Sequence, residues 1–440
     1  PSWGAWTESA CALIDAEGRW RVPRVFDTAG TPGNAGLLGP VGDRASGPGV
    51  PTVAFASNDY LGLTAHPAVR AAAHAAIDRW GTGSGASRLV TGTRPVHAAL
   101  EEALADWKAC ERAVVLPTGF AANLAVLSVF GSSDAHLYSD ALNHASIVDG
   151  CRAAAASVTV YPHRHPEAVE HLMASAPHRP VVVSDTVFSM DGDEADLPRL
   201  VGLACRRGAL LVLDEAHAVC GPELTRAEIE AVEAAGGAVL RVGTLSKTLG
   251  SVGGFVAGPA RCIELLENRA RPYIFTTAPT PADMAAALAA LGVLRSGEGD
   301  ELLRRLAVHV ALIAGLAGTP GHRAPIVPFV LGAEDAALAA SQALLDAGLW
   351  VPAIRPPTVP PGTSRLRVTL SAAHSPADVD RLVAGLAALG LVSVDRPGRV
   401  GATGATGATG AETGIAGGAP GGGDTGGVMS GPGNGDGRAT

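Results

Sequence analysis

The stretch Gly243-Thr244-Leu245-Ser246-Lys247-Thr248-Leu249-Gly250 decides the reading of this chain. It follows a strand-like run, GAVLRVGT, and sets a lysine among small and hydroxyl residues ahead of a glycine-rich segment. Only two of the 33 basic side chains are lysines, Lys108 and Lys247; the others are arginines. Arginine stays protonated and cannot condense with a carbonyl, so any Schiff-base chemistry falls to one of these two amines. Lys108 lies in EEALADWKAC, a polar-apolar helical pattern that reads as surface. Lys247 is the better candidate, because small neighbours let a bulky ligand approach the backbone and hydroxyls can hold an anion. On position alone it is also consistent with an ordinary lysine in a strand-to-helix loop.

Outward from this stretch, short β-type runs recur: AVVL (113–116), HLYS (136–139), VTVY (158–161), VVVSDTV (181–187), ALLVL (209–213), AVLRVG (238–243) and GFVAG (254–258). Helical segments separate most of them, which predicts a largely parallel sheet with helices on both faces. Continuous apolar runs such as ALLVL suit strands buried on both sides. This is the large domain, expected over residues 58–282, after an N-terminal segment, 1–57. In that segment Pro1 to Arg21 has partial helical periodicity, and Thr28 to Pro51, rich in glycine and proline, reads as irregular. A smaller α/β unit is expected over 283–392: a long alanine-leucine helix, a strand IVPFVLG, a helix EDAALAASQALLDAG, and strands in WVPAIRPP and SRLRVTL. Ser375-Pro376 then caps a last helix. From about Val400 the composition collapses to GATGATGATGAETG and further glycine, and the tail, 393–440, is expected to be disordered. No proline fills the triplets, so collagen is a poor description.

Composition narrows the class. At 440 residues, of which 47% are hydrophobic, the chain can build a large core in roughly two domains. No apolar run reaches about 18 residues, so no membrane helix is expected. The N-terminus lacks a secretory pattern, which points to the cytoplasm. The six cysteines are scattered without a Cys-x-x-Cys pair, as expected for reduced thiols rather than disulfides or metal ligands. A net charge of -9 argues against a nucleic-acid partner.

In open parallel sheets, ligands sit beyond the carboxyl ends of the strands, and the polar residues gather there. Thr118-Gly119-Phe120 follows AVVL and begins a helix whose amides and dipole suit a phosphate. Asp185 and Ser189 follow VVVS, Asp214 and His217 follow LLVL, and Thr244, Ser246 and Lys247 follow AVLRV. A lysine, a strand-end aspartate, an imidazole plane and a phosphate cradle together suit pyridoxal 5′-phosphate. Lys247 would condense with its aldehyde, and Asp214 would keep the ring nitrogen protonated. His217 could bond the phenolic oxygen, His144 could stack on the ring, and Thr244 with Gly119 and Phe120 could hold the phosphate. The letters Asp214-Glu215-Ala216-His217 also occur as a helicase box, but that needs a Gly-Lys-Ser/Thr loop, and neither lysine here follows a glycine.

The chain resembles the α-oxoamine synthases, pyridoxal-phosphate enzymes of the aspartate-aminotransferase-like fold (PLP fold type I). The stretches that carry the resemblance are SNDYLGL, GSGASRLVTGT, TGFAAN, NHASIVDG, SDTVFSMDGD, LDEAH, GTLSKTLGSVGG and RPPTVPPGTSRLRVTLSAAH, in family order over roughly residues 55 to 392. The resemblance implies a large domain with a mostly parallel seven-stranded sheet and a smaller α/β C-terminal domain. It implies Lys247 as the Schiff-base lysine, Asp214 as partner of the pyridinium, His217 and Ser189 at the phenolic oxygen, and His144 stacked on the ring. Gly119, Phe120 and Thr244 would touch the cofactor. Arg367 would hold the amino-acid carboxylate, with Asn58 and Thr358 at the substrate. The family is a homodimer with shared sites, so Thr276 or Thr277 would reach the partner's phosphate.

Within the family, AIRPPTVPPGTSRLR most resembles the branch that joins L-alanine to a pimeloyl thioester in biotin biosynthesis, and the resemblance implies 8-amino-7-oxononanoate as product. The acyl carrier would be coenzyme A or an acyl carrier protein. An N-terminal arginine meets the acyl substrate in that branch; Arg19 and Arg21 are both candidates. After LDEAH the family's glycine-rich run is replaced by AVCGPELTRAEIE. Two alternatives stay open at this point: another α-oxoamine synthase using glycine or serine with a different acyl thioester, and a non-catalytic binding protein of the same fold.

Overall fold

The computed structural model describes residues 2–28, 34–39, 49–175 and 179–393. The expected glycine-rich tail beyond Ser393 lies outside the described residues. The strand Leu210–Asp214 is central. Leu211, Val212 and Leu213 are fully buried, as an unbroken apolar run covered on both faces requires. Across the sheet the order is Arg112–Leu116, Gly254–Gly258, Ala238–Thr244, Leu210–Asp214, Arg179–Asp185, Ala135–Asp140 and Ser157–Tyr161. Each β-type run read between 113 and 258 contributes a strand to this one sheet. All run parallel except Gly254–Gly258, which is antiparallel to both neighbours. Parallel strands need crossovers, and helices such as Gly119–Phe130, Ala145–Ala153, Leu197–Arg207 and Arg226–Ala234 supply them.

The antiparallel strand determines where Lys247 sits. Its return needs no crossover helix, so Lys247 lies in a tight strand-to-strand loop rather than a strand-to-helix turn. Leu245 N donates to Gly253 O (2.9 Å), Ser251 N to Leu245 O (2.9 Å) and Gly250 N to Lys247 O (3.0 Å). Gly250 has φ +57°, and a Cβ there would lie 2.5 Å from Thr64 N. Handedness and close approach both demand glycine at this position.

Two shorter sheets complete the described chain. Ile326–Gly332, Ser364–Thr369 and Ala353–Ile354 form an antiparallel sheet. The other corrects the irregular reading of Thr28 to Pro51. Ala35–Leu38 pairs antiparallel with Val50–Ala54, which pairs in parallel with Leu349–Trp350. That partner lies far along the chain, so local composition, with Pro51 inside a strand, carries no trace of it. The alanine-leucine stretch is two helices, Pro281–Leu294 and Gly297–Leu316, not one. Ser296 at the N-cap and the glycines at 297 and 299 mark the break. The last helix, Pro376–Ala388, has the expected cap, with Ser375 and Asp378 forming a reciprocal capping box.

Lys108 departs most from its sequence reading: it is 2% exposed. Its Nζ lies 2.9 Å from Glu215 Oε2 and 3.0 Å from Glu223 Oε1. Arg241 Nε donates to Glu215 Oε1 at 2.5 Å, and Arg241 Nη1 donates to the carbonyl of Lys108 at 2.8 Å. The helix Pro95–Trp107 ends at this residue, so the surface pattern stops where the chain turns inward. The ammonium also lies 3.7 Å from the centroid of the Trp107 ring. Breaking a buried ion cluster strands the charges left behind. Lys108→Ala is therefore expected to lower the unfolding free energy by about 3 kcal/mol, read from urea denaturation; a loss under ~1 kcal/mol would mean the ammonium is solvated.

Candidate active site

The carboxyl ends of the parallel strands bring most of the expected residues together. Lys247 is partly exposed as a residue, and its Nζ lies 2.9 Å from His217 Nε2. The other ring nitrogen of His217, Nδ1, lies 2.5 Å from the hydroxyl of Tyr60. His217 and Tyr60 are both buried. Burial lowers the pKa of Lys247, with the guanidinium of Arg367 adding to it and the carboxylates of Asp214 and Asp185 opposing. Burial likewise pushes His217 well below its usual value, helped by Lys247 and Arg367. This pole therefore favours a neutral imidazole and a more readily deprotonated amine.

Asp214 ends its strand and is gripped on both oxygens: Asn123 Nδ2 donates to Oδ2 (2.6 Å) and Ala216 N to Oδ1 (2.8 Å). Asn123 Nδ2 also donates to Ser146 Oγ at 2.9 Å, and Ser146 lies 2.8 Å from His144 Nδ1. Ser146 N donates to His144 Nδ1 (3.2 Å), so neutral His144 carries its proton on Nε2. Burial lowers the His144 pKa and favours that neutral form. Asp185 is the direct register partner of Asp214 on the adjacent strand, and accepts from His144 N at 2.7 Å. Burial, then the neighbouring Asp214 carboxylate, raise the Asp185 pKa well above the carboxylate range. Asp185 is thus pushed toward its neutral form beside Asp214.

Arg367 lies on the strand Ser364–Thr369 and is buried. Its Nε donates to the carbonyl of Ser189 (2.6 Å), Nη1 to Thr369 Oγ1 (2.9 Å) and Nη2 to Asn58 Oδ1 (3.4 Å). Tyr60 also donates to Asn58 Oδ1 at 3.2 Å, so Lys247, His217, Tyr60, Asn58 and Arg367 form one chain of contacts. Ser189 is half-buried and takes part through its carbonyl.

The donor set fits an aldehyde cofactor that bears a phosphate and a basic ring nitrogen. Gly119 opens a helix, where first-turn amides have no acceptor within the helix. A Cβ at Gly119 would stand 3.2 Å from Thr244 Cβ, so the glycine leaves room for the threonine beside the helix mouth. Thr244 Oγ1 lies 2.7 Å from Ser246 Oγ. Phe120 is exposed at the same helix start, with its ring 6.5 Å from that of His144. Asn123 Oδ1, buried beside Asp214, has no hydrogen-bond partner.

Other expected residues lie apart from this cluster. Arg19, Arg21 and Thr358 line a separate cavity of about 470 Å³ together with Arg24 and Arg355. Thr277 bridges Ser87 on the GSGASRLVTGT segment, and Thr276 precedes it. After LDEAH, residues 218–224 lead to the helix Arg226–Ala234, capped by Thr225 and Glu228. Tyr60, Asn123 and Ser146 were missed from sequence, although each falls inside a stretch already singled out. Nothing in SNDYLGL, TGFAAN or NHASIVDG says which letter points inward; only the tertiary pairing does.

Comparison with known proteins identifies the family. The family model for aminotransferase class I and II matches residues 50–386. A curated 8-amino-7-oxononanoate synthase from Geobacter sulfurreducens is 47% identical over 364 residues, 80% of this chain and 93% of that protein. The solved Sphingomonas wittichii serine palmitoyltransferase superposes with a TM-score of 0.77 at 30% identity, over 88% of this chain and 98% of that one. A serine palmitoyltransferase variant from S. paucimobilis with a bound PLP-myriocin aldimine gives a TM-score of 0.76 at 30% identity, with the same coverage. The chain belongs to the aminotransferase class I and II family and, within it, to the α-oxoamine synthases.

Proposed function

We propose that the chain condenses L-alanine with a pimeloyl thioester, with release of carbon dioxide and the thiol carrier, to give 8-amino-7-oxononanoate for biotin synthesis in the cytoplasm. The observation that carries the reading is the Lys247 amine held against His217 at the carboxyl edge of the sheet, in a chain similar at 47% identity to an 8-amino-7-oxononanoate synthase. The cofactor is pyridoxal 5′-phosphate, which supplies an electron-withdrawing ring that takes up the electron pair left when a bond to the substrate α-carbon breaks.

The side chains divide the remaining work. Lys247 would hold the cofactor and, when free of it, would take the α-proton on its neutral Nζ; the lowered pKa makes that form accessible. Asp214, fixed by Asn123 and Ala216 N, would hold a proton on the ring nitrogen. Neutral His217 would bond the phenolic oxygen, with Ser189 nearby, and His144 would stack on the ring. Gly119, Phe120 and Thr244 would hold the phosphate. Arg367, pre-set by Ser189 O and Thr369, presents its fork with Asn58 to the amino-acid carboxylate. The arginines at 19, 21, 24 and 355 give the cavity beside Thr358 a positive lining suited to the anionic acyl thioester. That carrier is coenzyme A or an acyl carrier protein. The site is completed in a homodimer: exposed Leu89 and Val90 lie on the segment that Thr277 bridges at Ser87, and exposed Phe275 precedes Thr276 and Thr277, which would reach the partner's phosphate.

Lys247→Ala is expected to abolish both the visible absorption of the pyridoxal-phosphate-loaded protein and carbon dioxide release; a variant that still condenses alanine with pimeloyl thioester would remove the assignment. In a panel of alanine, glycine and serine, alanine should give the fastest release with the pimeloyl thioester. A preference for serine would instead match the activity named for the serine palmitoyltransferases. Tyr60→Phe leaves the buried Nδ1 of His217 unpaired, at a cost of about 1–3 kcal/mol. Titration of the visible absorption should then show pyridoxal phosphate bound about tenfold or more weakly; unchanged affinity would separate Tyr60 from the site.

A further inference from the structure

His163 follows the strand Ser157–Tyr161 and has no part in the chemistry assigned so far. Both of its ring nitrogens face carboxylates: Nδ1 lies 2.9 Å from Asp140 Oδ1, and Nε2 lies 2.7 Å from Asp193 Oδ2. An ionised carboxylate only accepts, so both nitrogens carry protons and the ring is an imidazolium. Its edge-on neighbour is Phe188, with ring centroids 4.4 Å apart. The charged groups around the pair are few. Arg164 Nη1 lies 3.7 Å from Asp193 Oδ2, and Arg164 N donates to Asp140 Oδ2 at 2.8 Å. Tyr161 and Asp185 feel Asp140 from the sheet side.

The two aspartates belong to different turns. Asp140 ends its strand and opens the turn that leads to His144: Leu142 N donates to Asp140 Oδ1 (2.9 Å) and Asn143 N to Asp140 O (3.3 Å). Asp193 closes the turn from Phe188, in which Phe188 N donates to Asp193 O (2.9 Å) and Gly192 N to Phe188 O (2.8 Å). This second turn presents the Ser189 carbonyl to Arg367 and the Asp191 carboxylate to Arg365. We propose that His163 is a positioning residue whose imidazolium clips the two turns together, setting His144 on one side of the site and Arg367 on the other. The inference rests on the roles proposed above for His144 and Arg367.

The clip depends on pH in a definite direction. Burial works against the charge, but the two carboxylates outweigh it and lift the His163 pKa from 6.5 to about 9. A group whose pKa is raised on folding stabilises fully below its unfolded value and loses that contribution as pH rises through the folded one. The clip should therefore hold at neutral pH and release above about pH 9.

Hydrogen exchange read by mass spectrometry on the wild-type holoenzyme tests this without a mutation. After correction for intrinsic exchange rates, the segments 140–144 and 188–193 should lose protection together, about tenfold or more, between roughly pH 7 and pH 10. The strand Leu210–Asp214 should not change. His163→Gln should show the opened pattern already at neutral pH. In that variant the pyridoxal phosphate Kd and the alanine KM should each rise by about tenfold, with a smaller change in kcat. His163→Arg, cationic at both pH values, should restore protection under alkaline conditions. Equal protection of wild-type protein at both pH values, or a folded His163→Gln with unchanged constants, would overturn the proposal. If His163→Gln fails to fold, the wild-type exchange decides. An intact clip in a protein that does not condense alanine would instead count against the proposed function alone.

Discussion

The 2.9 Å contact between Lys247 Nζ and His217 Nε2 is the interaction the rest of the structure is arranged around. An amine is useful as nucleophile and base only when it is neutral for part of the time, and burial supplies that condition here. The histidine helps because it is itself kept neutral: deep burial and the nearby cations of Lys247 and Arg367 all oppose its protonation. From His217 the contacts run through Tyr60 and Asn58 to Arg367, so the base and the anion-binding arginine are linked by one row of side chains.

The surrounding charges serve the same end. Asp185 and Asp214 are register partners on neighbouring strands, and two adjacent buried carboxylates cannot both ionise cheaply. Asp214 has amide donors on both oxygens, while Asp185 is pushed toward its neutral form. On the residue after Asp214, Glu215 is held by Lys108 and Arg241. That ion cluster anchors the segment that leads into His217. The two lysines of the chain therefore have opposite electrostatic settings. Lys108 is matched by two carboxylates and remains an ion-pair partner, whereas Lys247 faces a histidine and has its charge disfavoured.

Much of this was legible in the sequence because it depends on local rules. Unbroken apolar runs such as LLVL gave the parallel strands, and the polar residues just after them gave Asp214, Thr244 and Lys247 their place at the carboxyl edge. What could not be read depends on partners distant in the chain. The strand Val50–Ala54 pairs in parallel with Leu349–Trp350, nearly three hundred positions on, and buried Lys108 is paired with Glu215, more than a hundred positions away. Tyr60 sits within a stretch recognised as important, yet its role is set by which neighbour its hydroxyl meets, and that neighbour is His217. The antiparallel strand Gly254–Gly258 was found as a strand, but its direction, and with it the kind of loop that holds Lys247, became clear only from its pairing.

Because the chain holds only two lysines, the central claim can be tested by a single covalent trapping measurement. The protein is loaded with pyridoxal phosphate, reduced with borohydride, digested, and the phosphopyridoxyl group located by mass spectrometry. The account requires the label on Lys247 and none on Lys108. A label on Lys108, or a reduced protein that carries none, would contradict it.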